Sequence, residues 1–228
     1  LGVRTNPTLT PSDVHLKAVA EDMGVGHTFR LTPVGVCFGD GEDGAGNRGA
    51  PGESVGDPYF GGAGPERRAC RECGECMTGC RHGAKNTLTE NYLYFAERGG
   101  AEVHPLTTVE RLRELPGGGY AVDTVKTDAP RRRENARTFT ARQVVVAAGT
   151  YNTQTLLHRM RDSGMLPRLS ERLGTLTRTN SEALVGAMSR HVPPPEDLTK
   201  GVAITSSIHP DENTHIEPVR YGKGSNAM

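Results

Sequence analysis

Four cysteines fall in one short stretch, Cys70, Cys73, Cys76 and Cys80, with the spacing C-x2-C-x2-C-x3-C. Iron–sulfur clusters are held by cysteine thiolates, and close spacing lets one loop wrap a cubane corner. The run matches the bacterial ferredoxin pattern, except that Arg81 stands where proline usually follows. In two-cluster ferredoxins the fourth cysteine serves the other cluster. No second run exists here, so a [4Fe-4S] site needs all four residues, or Cys37 as a remote partner. Zinc also accepts four thiolates, and His82 is adjacent. Reduced or disulfide-paired thiols are a third reading. All three stay open at this point. The count of five is odd and clustered, which is unlike a secreted disulfide framework. It favours a reducing environment, at least during maturation.

Other residues could do chemistry with less support. The turn Val144–Asn152 leads into a helix, and such a turn favours phosphate through its free N–H groups and dipole. Ordinary packing of an α/β domain explains it as well. The G-x-G-x-x-G fingerprint is absent. Gly61-Gly62-Ala63-Gly64 follows no convincing strand and is not a substitute. The eight histidines form no H-E-x-x-H pattern and read one by one as surface or structural residues. His209, His215 and Glu217 are the one local group on an expected strand pair. Period-two alternation would put His215 and Glu217 on one side. A carboxylate facing an apolar cavity could act as a base, while a strand-edge glutamate in water is the plainer reading. No G-x-S-x-G is present, so nothing points to a serine hydrolase.

The elements that must position these residues can be sketched. Thr10-Pro11-Ser12-Asp13 predicts a helix start, and Gly24 its stop. Gly39 to Gly64 is a long loop rich in Gly, Pro, Asp and Asn, and its length would permit a lid. Thr87-Leu88-Thr89-Glu90 predicts a capping box for a helix that closes at Gly99. Ala101–Leu106 reads as a short strand. Val109–Leu115 and Tyr120–Thr127 read as a hairpin across Gly117-Gly118-Gly119. Arg131, Arg132 and Arg133 sit in a solvated loop tip. Gln143–Ala147 is a continuous apolar run that predicts a parallel strand buried on both faces. A helix over about Asn152–Ser163 follows, giving the βα unit of a doubly wound fold. Gly201–Ser207 and Asn213–Val219 predict two more strands. There is no internal repeat.

Composition bounds the function. Lys+Arg and Asp+Glu are 27 each, so the net charge is zero. Such a chain is a poor general ligand for nucleic acid. Hydrophobic residues are 35%, aromatics 5%, and 29 glycines bring the apolar share near the globular norm. No apolar run approaches the length of a membrane helix. No signal peptide is seen, and the chain begins with Leu1 rather than Met, so it reads as a fragment. Cytoplasmic or cell-envelope-associated location is expected.

Together, four blocks resemble the glucose–methanol–choline (GMC) flavin oxidoreductases, in particular their actinobacterial cholesterol-oxidising members. They are Cys70 to Leu88 with Asn91-Tyr92-Leu93, Val146 to Leu157, Gly164 to Ser170 with Arg178 to Leu184, and Gly201 to Pro210 with His215 to Gly224. The resemblance implies the middle portion of a longer enzyme. Both the leading dinucleotide fingerprint and the closing segment with the catalytic histidine lie outside it. The implied fold is α/β: an incomplete FAD-binding doubly wound domain, then the start of a β-rich substrate domain. The implied segments are 1–84 with the glycine-rich loop and cysteine cluster, 85–175 from the FAD-binding domain, and 176–228 opening the substrate domain. By resemblance, the backbone at Val109 contacts the adenine of FAD. Ala148 and Gly149 pack against its ribose and pyrophosphate, and Asn180 runs near the flavin ring. In place of the family's glycine-rich version, this chain has Arg178 to Glu182. Glu217 resembles a buried glutamate that moves a proton during steroid double-bond isomerisation. The implied reaction is oxidation of a 3β-hydroxysterol, or another bulky lipid alcohol, by hydride transfer to FAD, with oxygen or another acceptor completing the cycle. The rival reading is an iron–sulfur electron-transfer module.

Overall fold

Helix formation begins where the sequence places it. Pro11 pre-sets the first helical residue, and the N–H of Thr10 donates to the Asp13 carboxylate at 2.6 Å. In the computed structural model, residues 2–39, 49–129, 135–186 and 196–224 are described. In chain order the elements are β1 (Arg4–Thr5), α1 (Pro11–Asp22), β2 (Arg30–Leu31), β3 (Pro33–Val34), β4 (Ser54–Val55) and β5 (Arg67–Arg68). They continue with α2 (Tyr92–Arg98), β6 (Thr107–Glu114), β7 (Tyr120–Lys126), β8 (Arg137–Ala141), α3 (Gly149–Asp162), β9 (Ser206–Asp211) and β10 (Thr214–Ile216). The architecture mixes helix and sheet. No described helix is long and apolar enough to cross a membrane. The Arg131–Arg133 loop tip and residues 40–48 of the expected lid lie outside the described residues.

The chain forms two compact units, Leu1–Glu102 with Met188–Met228, and Val103–Ala187. The segments 1–84 and 176–228 thus both contribute to the first unit. That unit is made of small antiparallel ladders: β1 with β3, β4 with β5, and β10-β9-β2. Its apolar core is Val36, Phe38, Cys70, Ala84 and Val202. Polar burial ties α1 to β9. Asp13 is fully buried and accepts from the Thr10 hydroxyl at 2.7 Å and from the hydroxyls of Thr205 and Ser206. Arg220 adds a bond from Nη2 to the Thr205 hydroxyl at 2.8 Å.

The second unit is the antiparallel sheet β6-β7-β8 with α3 packed on β6. The β6–β7 hairpin turns where expected. Gly118 and Gly119 have φ of 90° and 81°, a left-handed run that side chains resist. A register shift between Val109 and Arg111 inserts a bulge at Glu110. Leu112 of β6, Met160 of α3 and Leu166 form the core, with Val144 and Val146 packed against it.

Three expectations need correction. Gln143–Ala147 is not a strand buried on both faces. Val144 and Val146 pack inward, but Val145 is 89% exposed, and no ladder includes the segment. A parallel strand needs neighbours on both edges, and the described residues provide none. Ala101–Leu106 is not a strand, and β6 begins only at Thr107. Thr87 opens a 3-10 turn over Leu88–Glu90. The cap of α2 is Asn91, whose side chain accepts the N–H of Tyr92.

The buried carboxylate sets the acid stability of the first unit. Burial alone raises the Asp13 carboxyl, but the bonds from Ser206, Thr10 and Thr205 outweigh it and hold it below its ordinary 3.8. Its folded value is therefore depressed. Its stabilisation is full above pH 3.8 and is lost as pH falls through the lower folded value. Asp13→Ala is expected to cost about 3–5 kcal/mol, because the Arg220 charge and three hydroxyls lose their partner. It should also flatten the acid limb of stability. Urea unfolding at pH 7 and near pH 3 checks both.

Candidate functional sites: the cysteine cavity and the α3 turn

The cysteine loop is framed by buried polar side chains. Arg67 is fully buried and donates from Nη1 to Asn86 Oδ1 at 2.8 Å and from Nε to the Gly83 carbonyl at 3.3 Å. Its guanidinium lies over the Tyr59 ring at 5.4 Å. Asn91, also fully buried, donates to the Thr87 carbonyl at 2.9 Å and to Asn86 Oδ1 at 3.2 Å. The loop is clamped on its other side. The N–H of Gly74 donates to the Gly201 carbonyl at 2.9 Å, and the N–H of Gly201 to the Glu72 carbonyl at 3.0 Å.

Cys70, Cys73, Cys76 and Cys80 all line one cavity of ≈ 10 Å³, with Glu75 and His82 among the other lining residues. All four are free thiols, as is Cys37, which does not line it. Backbone N–H groups reach the sulfurs of Cys70, from Glu72 at 3.3 Å, and of Cys80, from Lys85 at 3.5 Å. Burial pushes the Cys70 thiol up to about 12, with the N–H of Glu72 opposing, and burial also raises Cys76. The sequence spacing thus brings the four thiols together. A cavity needs about 10–15 Å³ to hold one water, so this one has room for a single small body. Four thiols lining one small cavity are a donor set for zinc or for an iron–sulfur cluster. Within ligand distance of one another, among the described residues, stand Cys73, Glu75 and His82.

Two glycine-rich turns differ in what their N–H groups do. Asp57 accepts from the N–H groups of Tyr59 at 2.9 Å, Phe60 at 3.0 Å, Gly62 at 3.1 Å and Gly64 at 2.9 Å. The Gly61-Gly62-Ala63-Gly64 stretch therefore encloses its own carboxylate and offers no phosphate cradle. Those bonds hold the Asp57 carboxyl below its ordinary 3.8 against the opposing effect of burial.

The turn before α3 is open. Gly149 has φ of 76°, and a Cβ built there would meet nothing within 4 Å. A cleft of ≈ 560 Å³ fronts this turn, lined by Ala147, Gly149, Thr153, Gln154, Thr177 and Arg178, among others. Gln154 Oε1 is buried with no hydrogen-bond partner. The N–H of Ala148 donates to the Thr153 hydroxyl at 3.0 Å. Hydroxyls, an amide, a guanidinium and a helix N-terminus suit a polyhydroxylated, phosphate-bearing group. The structure does not bring every expected residue here. Val109 sits in β6 beside the bulge, outside the cleft lining. Asn180 is exposed and donates to Glu182 Oε2 at 2.6 Å. Glu217 belongs to the other unit, half-buried, one residue past the end of β10. The β10 register shifts before Ile216, so strict alternation does not carry from His215 to Glu217. The rings of His209 and His215 lie 5.9 Å apart. Sequence reasoning missed Thr153, Gln154 and Arg178. Their signal was their position within five residues of the glycine, or in the polar run beyond α3.

Residues 64–174 match the family described as GMC oxidoreductase. Along its whole length the chain is 61% identical to a cholesterol oxidase of Mycobacterium tuberculosis strain H37Rv, covering 38% of that protein. Residues 64–174 belong to the GMC oxidoreductase family. It is also 44% identical over 234 residues to a cholesterol oxidase of Acinetobacter baumannii, covering 40% of it. The chain thus spans well under half the length of the curated relatives it matches. The matched region contains the four clustered cysteines and the turn before α3.

Asp57→Ala should leave the four N–H groups of its loop without their acceptor. The expected cost is about 1–3 kcal/mol, confined to residues 57–64. Amide hydrogen exchange should show lost protection there and unchanged protection in β6–β8. Equal loss in both units would show that the carboxylate is not a local device.

Proposed function

We propose that this chain is part of an FAD-dependent oxidoreductase that oxidises a 3β-hydroxysterol, with oxygen as the electron acceptor. The observation that carries this reading is the 61% identity over the full length of the chain to a protein named cholesterol oxidase. The α3 turn supports the cofactor. Its glycine leaves the approach open, its helix end favours the diphosphate, and Arg178 on the cleft wall adds a positive charge. Gln154 Oε1 supplies a buried acceptor without a partner, suited to a ribose hydroxyl.

FAD, when bound, supplies the hydride acceptor, and the protein supplies position and electrostatics. In this reading Ala148 and Gly149 admit the pyrophosphate without a side chain in its way. The Val109 backbone, next to the bulge at Glu110, contacts the adenine, and Asn180 lies along the segment that approaches the flavin ring. Glu217 carries a proton between two carbons of the sterol ring, shifting the double bond after oxidation. Glu217 is half-buried, and a carboxylate is a suitable group to take a proton from one carbon and return it to another. The second reading, an iron–sulfur electron-transfer module built on Cys70, Cys73, Cys76 and Cys80, is favoured by the four free thiols that line one cavity.

The test is the visible spectrum of the intact protein under anaerobic conditions, before and after cholesterol. Oxidised-flavin bands that bleach on addition are the expected result. Flavin that stays oxidised would remove the sterol assignment, and absence of flavin would remove the whole reading. Gly149→Ala should cost about 1–2 kcal/mol at a left-handed position and lower flavin occupancy. Glu217→Gln should bleach normally yet release unshifted ketone, with isomerised product reduced about 10²-fold or more. Product analysis by chromatography separates the two steps.

A further inference from the structure

Three donors of different chemistry converge on the cysteine cavity. The sulfur of Cys73, a carboxylate oxygen of Glu75 and a ring nitrogen of His82 all lie within 4.8 Å of one another, and all three residues are half-buried. We propose that they form a mononuclear site for a zinc-class divalent ion, with a second thiol of the same cavity as the fourth donor.

The donor set selects the ion. Thiolate and imidazole suit zinc, whereas magnesium and calcium demand oxygen cages. Zinc bond lengths of about 2.0–2.3 Å in a tetrahedron put donors about 3.4–3.8 Å apart. A 4.8 Å triad reaches that with a small contraction of the side chains. The room available, ≈ 10 Å³, is that of one ion. Charge also closes. The Cys73 thiolate and the Glu75 carboxylate neutralise the dication, and His82 binds neutral. A second thiolate adds one negative charge, facing Arg71 and Lys85 in the cavity wall. Each thiol proton displaced by the metal passes to solvent.

The backbone holds the donors in this arrangement. Gly74, between Cys73 and Glu75, has φ of 73°, and any Cβ there would collide with the Thr199 carbonyl. A Cβ on Gly222 would strike Glu75 Cγ and the Cys73 carbonyl. The guanidinium of Arg81 lies 3.3 Å from Glu75 Oε2 and orients the carboxylate, as outer partners of metal ligands do. The proposed role is structural. Residues 70–86 contain only one short 3-10 turn and no helix or strand, so a metal staple there would replace missing ladder bonds.

The test is metal analysis of the intact protein purified with added zinc and dialysed against a weak chelator. About one zinc per chain is expected. Cys73→Ser and His82→Ala should each weaken retention by more than the ~10–100-fold typical of losing an outer partner. Cys37→Ser, away from the cavity, should retain zinc fully. Wild-type protein without stoichiometric zinc, iron with acid-labile sulfide in its place, or full retention in both ligand variants would overturn the proposal. Cobalt loading of wild-type protein gives a readout that needs no variant to fold. A thiolate-to-cobalt band with tetrahedral ligand-field bands is expected, and an octahedral spectrum without the thiolate band overturns the site.

Discussion

A single buried carboxylate holds the first unit together. Asp13 sits in the first turn of α1, and its hydroxyl partners Thr205 and Ser206 lie at the start of β9, nearly the whole chain away. A charge removed from water is tolerable only when its lone pairs are filled. Asp13 fills them with a backbone N–H and three hydroxyls. Arg220 then bonds the Thr205 hydroxyl and the Lys200 carbonyl at 2.8 Å each. Asn6 reaches the Thr205 carbonyl at 3.1 Å. The result is a polar knot in place of a large apolar core, in keeping with a chain that has no tryptophan and few aromatics.

The cysteine loop inherits its position from that knot. The segment that carries Thr205 and Arg220 also carries Gly201, whose backbone bonds both Glu72 and Gly74. Thr8, beside Asn6, donates to the Glu72 side chain at 2.5 Å. On the opposite side Arg67 and Asn86 hold residues 83–86. The thiols are thus fixed by two independent polar frames, neither built from a regular ladder. That explains how side chains on an irregular loop converge closely enough to share one ion-sized space.

What was legible in the sequence was local. Pro11 and Asp13 mark the α1 start, three glycines mark the β6–β7 turn, and Leu156, Leu157 and Met160 mark α3, because each signal acts within a few residues. The convergence of Cys70, Cys73, Cys76 and Cys80 was legible for the same reason. What was not legible depends on distant partners. Asp13 reads as a helix-dipole residue until Thr205 and Ser206 are seen beside it. Gln143–Ala147 reads as a buried strand, yet burial needs neighbouring strands that lie nowhere in the described residues, so Val145 faces out. His82 is marked in the sequence only by its adjacency to the cysteines, and Glu75 carries no spacing signal of its own. They become ligands only when Gly74 turns the chain and residues 83–86 fold back.

The two glycine turns show why a motif is only as informative as its surroundings. Both place backbone N–H groups at a glycine turn, the first converging on one point and the second at the start of a helix. At Gly61–Gly64 the chain provides its own anion, since Asp57 lies a few residues upstream and turns back onto them. At Gly149 no acidic residue stands in the first turn of α3, and the adjacent cleft wall carries Arg178 and hydroxyls instead. An internal carboxylate is always present at high effective concentration, so it excludes a free phosphate from the first turn. The second has no such competitor, and its helix dipole, which an acidic first-turn residue would have countered, still acts on whatever enters the cleft. The order of the two turns in the chain gives no hint of this difference. The placement of one aspartate decides it.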